Sequence, residues 1–296
     1  MQSNNPVFRR SEEFHAGGTN AYGNQTYPGS GSTYQGYGTD PSTWGTGAPG
    51  GPGQVQAPPS TGPMTIDTVV QKTAISLGLV ILAAIATWVL TPDITATTVS
   101  NGELGSLFAA VTIGSLGAFA LSLVNSFKRV ISPGLVLAFA VLEGVALGGL
   151  SKIIDAQYTT SDSGNIVVQA VIGTFAAFAG TLAAYKFFNI QVGQKFRTFT
   201  VAAMFGMVGL AVMEMVLGLF GESFGLFGIT GLGMLTAVAG LVLGVFMLIL
   251  DFDFVEQGIA NGLPERESWR AAFAITVSLV WIYTNLLRIL AFLNQE

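Results

Sequence analysis

Cysteine is absent from the 296 residues, histidine occurs once, and only 10% of the chain is charged. Without cysteine there is no disulfide, no thiolate metal site and no cysteine nucleophile. The single histidine, His15, lies in a polar N-terminal segment, which excludes a His-Glu-x-x-His zinc site and a Ser/His/Asp triad. No Gly-x-x-x-x-Gly-Lys-Ser/Thr phosphate loop occurs. No basic tract or aromatic–basic stripe suggests nucleic acid as a partner. An enzyme built on this chain would run on carboxylates alone, so the expectation is no catalysis and no cofactor. The N-terminus shows no signal-peptide pattern, because no apolar stretch begins before residue 74. Membrane entry is then expected to depend on the first apolar helix.

What the chain has in abundance is apolar length. Half of its residues are hydrophobic, and seven apolar segments fill it, at 72–90, 104–124, 134–154, 166–185, 198–220, 229–250 and 271–293. Each reaches the roughly 20 residues that cross a hydrocarbon core. The predicted fold class is an all-α membrane protein with seven transmembrane helices, and its first partner is the lipid bilayer. A net charge of −5 guides little, since so few charges contribute and they sit between the spans.

Two regions are expected. Residues 1–63 alternate Gly, Ser, Thr and Pro with Tyr22, Tyr27, Tyr34 and Tyr37. Such a composition cannot bury enough apolar surface to offset its ordering entropy, so a disordered cytoplasmic tail is predicted. Its plain role is a solvated tether; its tyrosines also suit self-association or docking. Residues 64–296 form the membrane domain. Thr65 and Asp67 read as a helix start. Pro92, Pro133 and Pro264 fall at span boundaries, where proline is tolerated. Gly144/Gly148 and Gly240/Gly244 are small-xxx-small pairs suited to close helix contact in lipid. No internal repeat is evident, which counts against an inverted-repeat transporter.

Loop charges set an orientation. Lys72, Lys128, Arg129, Lys186, Lys195, Arg197, Arg266 and Arg270 flank one set of span ends, whereas Asp93, Glu103, Asp155, Asp162 and Glu222 gather at the other with Lys152. The positive-inside rule predicts a cytoplasmic N-terminus and an outward C-terminus.

Ionisable groups inside a span are costly and mark a site or an internal partner. Glu143 sits roughly 15 Å along helix three from its basic end, and Glu214 lies nearer the far end of helix five. Either suits a proton or a cation; hydrogen bonding to a neighbouring helix is the structural alternative. At the end of helix six, Leu250-Asp-Phe-Asp-Phe-Val-Glu-Gln257 puts Asp251, Asp253 and Glu256 within six residues. On a continuing helix Asp253 and Glu256 share a face, while Asp251 points about 200° from Asp253. Carboxylates this close disfavour each other's charged form. A proton-sensitive gate or a Ca²⁺ site at Asp251 and Asp253 follows as an expectation. The plain alternative is a solvated acidic loop balanced by Arg266 and Arg270. In helix seven, Arg288 is expected to snorkel outward, and Asn285 to hydrogen-bond across helices.

With seven spans of this spacing, Ser132-Pro-Gly and Leu142-Glu-Gly144 in helix three, Leu250-Asp251 ending helix six, and Asn285-Leu-Leu-Arg288 in helix seven, residues 64–293 resemble the Bax inhibitor-1 family. The likeness is to its bacterial YccA-like branch. The tail has no counterpart in that pattern. The resemblance implies a bundle wrapped around a central last helix, in a bacterial plasma membrane. It also implies a pH-sensitive calcium leak gated by two aspartates, one ending helix six and one in helix seven, latched by a basic residue. Asp251 or Asp253 matches the first. The second falls at Ser278, a departure from the family pattern. Lys128 or Arg129 is the candidate latch. Some bacterial relatives instead restrain a membrane protease, so an interaction protein is the alternative. A proton-coupled small-solute transporter is a third reading.

Overall fold

The computed structural model describes residues 62–94, 104–159, 165–188 and 190–295. The disordered tail expected over 1–63 falls outside these residues, save for 62 and 63. Among the described residues, seven helices, each long and apolar enough to cross a membrane, follow one another: α1 (Ile66–Leu90), α2 (Gly105–Phe127), α3 (Pro133–Tyr158), α4 (Ile166–Phe187), α5 (Gln194–Leu219), α6 (Gly231–Ala260) and α7 (Ser268–Leu293). A 3₁₀ turn, Glu265–Glu267, precedes α7. The protein is a multi-pass integral membrane protein.

Local chemistry sets the helix starts. Thr65 and Thr68 form a reciprocal cap on α1, each hydroxyl accepting the other's backbone N–H, at 3.2 and 3.1 Å. Asn165 accepts the Val168 N–H at 2.9 Å before α4, and Thr230 accepts the Gly233 N–H at 3.0 Å before α6. Pro133 opens α3 at a position that needs no N–H donor. The largest departure from the expected boundaries is in α6. It runs ten residues past 250, because Phe252, Val255 and Ile259 continue its apolar stripe onto Met64, Leu248 and Ile275. The acidic motif is therefore helical and not a solvated loop.

The last helix is the centre of the bundle. α7 packs against α6, α1, α4 and α3, and Ile275, Leu279, Ile282, Leu287 and Ala291 are buried along it. Glycine permits the closest crossings, as the small-xxx-small pattern predicts. A methyl group at Gly144 or Gly148 of α3 would strike the carbonyl oxygens of Val80 and Ala84 on α1, and one at Gly240 or Gly244 of α6 would strike Asn285 and Ile282 of α7. By contrast α5 is peripheral: 6% of its span is buried, against 50% for α3 and for α7.

Where the chain enters the bundle it is pinned to the α6–α7 connector. Met64 N–H donates to Leu263 O at 2.7 Å and Glu265 N–H to Gly62 O at 2.8 Å, making a bridge between Pro63 and Pro264. Lys72 Nζ pairs with Glu265 at 2.8 Å and stands 5.7 Å from the Trp269 ring, and the Thr68 and Ser268 hydroxyls are 2.8 Å apart.

Candidate functional site

The acidic end of α6 lies among the basic residues that open α1, α5 and α7. Its three carboxylates take partners on three neighbouring helices: Asp251 points away from the other two, whereas Asp253 and Glu256, three residues apart, share a face and part only through their side chains. Asp251 turns inward and accepts the Ser278 hydroxyl of α7 at 2.6 Å. Asp253, buried, accepts Arg197 Nη2 of α5 at 2.9 Å and Gln257 Nε2 at 2.8 Å. Glu256, exposed, accepts the Tyr185 hydroxyl of α4 at 2.6 Å. Phe178 and Tyr185 of α4 pack edge-on against Phe252 between these acids, with ring centroids 5.6 and 5.8 Å away.

This geometry corrects two expectations. Asp251 and Asp253 face different helices and do not converge into a Ca²⁺ cage; among the described residues no three acidic or histidine side chains group as a metal site. The basic partner is Arg197 rather than Lys128 or Arg129. Those two follow α2, which packs on α3 away from α6, and their side chains are exposed while their carbonyl oxygens accept Arg270 Nη2. Arg197 opens α5, the antiparallel neighbour of α6, and so reaches its end. Ser278, fully buried, occupies the place where the resemblance puts an aspartate, and it does face Asp251.

Glu143 lies apart from this cluster. It faces a cavity of about 340 Å³ between α2, α3 and α7, lined also by Ser115, Ser122, Phe139, Trp281 and Thr284. No hydrogen bond or ion pair joins it to another described residue.

The opposite end holds fixed polar groups with structural partners. Glu214 accepts the Ser223 hydroxyl and the backbone N–H groups of Phe224, Gly225 and Leu226, at 2.6 to 3.3 Å. Gly225 takes a φ of 71°, which suits glycine and turns its N–H onto the carboxylate. Arg288 does not snorkel. Its guanidinium donates to Leu226 O, Gly233 O and Thr236 Oγ1 at 2.9, 3.0 and 3.1 Å and lies 5.4 Å from the Phe227 ring. Asn285 bonds within its own helix, Nδ2 to Trp281 O at 2.7 Å, because Gly240 leaves its backbone flush against the amide. The sequence reading passed over buried Lys152, whose Nζ donates to Trp88 O and Thr91 O at 2.8 and 2.7 Å and pairs with Asp93 at 2.9 Å. It thereby caps the carbonyl end of α1 with a cation. A lysine inside a span beside a prolyl turn was the available signal.

A family model described as Bax inhibitor 1 like matches residues 5–295. The match extends well into the segment that the motif resemblance over 64–293 leaves out. No curated protein matches the chain.

Proposed function

Because the chain belongs to the Bax inhibitor 1 like family, we propose that it is a pH-sensitive leak for cations, Ca²⁺ among them, gated where α6 meets α7 and α5. The observation that carries the reading is the Ser278–Asp251 hydrogen bond beside the Arg197–Asp253 ion pair. Together they tie the end of α6 to a central helix on one side and a peripheral one on the other. Ser278 donates through a hydroxyl and has no charge to lose. The pH response then rests on its partner, the inward-facing carboxylate of Asp251: a proton taken up there removes the charge that holds the Ser278 hydroxyl and loosens α6 from α7. Orientation by the positive-inside rule puts this gate at the cytoplasmic face. Ca²⁺ passes as cargo without a resident cage.

The test is Ca²⁺ entry into proteoliposomes at pH 6 and pH 8, after confirming equal incorporation. Wild type should leak faster at pH 6. Asp251→Asn should leak at pH 8 nearly as fast as wild type at pH 6, because the carboxylate charge is already absent. Asp253→Asn, which removes the partner of Arg197, should change flux at both pH values. No flux above empty liposomes at either pH overturns the leak. The interaction reading would then stand, with a membrane protease or other membrane complex sought by partner capture.

A further inference from the structure

The cavity at Glu143 has a chemistry of its own. It sits in the middle of the spans, between α2, α3 and α7, and no lysine, arginine or histidine lines it. Three of the protons around it are spent on backbone carbonyls, and the Ser115 hydroxyl on the exposed side of α2 is the exception. Ser122 donates to Phe119 O at 2.8 Å, Thr284 to Val280 O and Trp281 O at 3.1 and 3.0 Å, and Trp281 Nε1 to Gly240 O at 2.8 Å. What Ser122, Thr284 and Trp281 leave for the cavity is oxygen lone pairs and an aromatic ring, beside the Ser115 hydroxyl and one carboxyl group without a protein partner. An isolated carboxylate in a span is costly, and a proton or a bound cation offsets that cost.

Three observations select the kind of cation. A single carboxylate balances one charge, whereas Ca²⁺ takes six to eight oxygens and usually several carboxylates. The walls combine Phe119, Phe139 and Trp281 with Val277 and Val280, surfaces that suit a weakly hydrated cation through its alkyl groups and through cation–π attraction. The volume of about 340 Å³ lies in the range of small-ligand pockets, which begin at about 300 Å³, and far exceeds what a proton or a bare ion needs. We propose that this cavity binds a small organic monocation, an alkylammonium or quaternary ammonium ion, with Glu143 as its counter-charge and Trp281 and Phe139 as its walls. This site is separate from the α6 gate and does not depend on the leak.

The experiment uses the full chain in zwitterionic nanodiscs and reads the thermal unfolding midpoint. Butylammonium and tetramethylammonium chloride are titrated against NaCl and CaCl₂ at matched ionic strength. At least one ammonium ion should raise the midpoint saturably where NaCl and CaCl₂ do not. Glu143→Gln should weaken its apparent affinity at least tenfold, and Asp251→Asn should leave it unchanged. Should Glu143→Gln fail to fold, Ser115→Leu decides: it narrows the cavity from the exposed side of α2 and should weaken binding similarly. The proposal is overturned if no ammonium ion gives a saturable rise, if NaCl reproduces it, or if binding survives in the decisive variant. Because the readout is binding, a failed flux measurement leaves it standing, and a failed titration leaves the leak standing.

Discussion

Gly144 and Gly180 are both helical glycines, yet they should respond oppositely to one added methyl. At Gly144 a Cβ would collide with the backbone of α1, whereas at Gly180 it meets open space. Gly144→Ala should therefore destabilise the bundle by about 1–3 kcal/mol through forced backbone shifts. Gly180→Ala should be neutral or gain up to about 1 kcal/mol of helix propensity. Thermal unfolding in one detergent compares them directly. At Asp253 the half-exposed pair with Arg197 should contribute at most about 1 kcal/mol to stability, so Arg197→Gln is expected to alter pH-dependent flux while leaving the unfolding midpoint nearly unchanged. Ser278→Ala should cost more, about 1–3 kcal/mol, because it strands a polar group inside the bundle. The same contrast explains what was legible. The place of Ser278 opposite Asp251 could be counted from Asn285 and Arg288. Arg197 could not be singled out, since one basic residue at a helix start also serves topology, and only the antiparallel packing of α5 on α6 selects it over Lys128 and Arg129.

Among the helices, α5 is held at its two ends. At one, Arg197 reaches Asp253 and Phe196 packs on Phe246 with ring centroids 5.2 Å apart. At the other, Glu214 gathers the amides of the α5–α6 loop while Arg288 of α7 holds one carbonyl of that loop, Leu226 O, and one of the first turn of α6, Gly233 O. Between them its span is the least buried in the bundle. Arg288→Gln removes the donor set that anchors the loop, so amide hydrogen exchange over 223–230 should rise at least tenfold while α7 itself stays protected. Exchange that stays unchanged would show that Glu214 alone suffices. Apolar length located all seven helices, because it is a property of the chain itself. The α6 extension and the roles of Glu214 and Arg288 escaped that reading, because they depend on which neighbour an element meets.

Across the whole bundle, a central α7 was foreseeable only through family resemblance; hydropathy does not rank one apolar span as more interior than another. Its burial on four sides is a packing outcome, fixed by the glycines that let α6 approach it closely. The entry of the chain shows the same dependence on context. Nothing local to Gly62-Pro-Met64 signals a partner some 200 positions later, yet Met64 and Gly62 exchange backbone hydrogen bonds with Leu263 and Glu265. Lys72→Met, which leaves Glu265 unpaired, should loosen this junction and raise exchange at Leu263 and Glu265, with little effect at the Glu214 loop. The junction has a mechanical consequence. Gly62 and Met64 form one fulcrum with the short connector that joins α6 to α7, so a load applied at Gly62 would be delivered as torque on that connector.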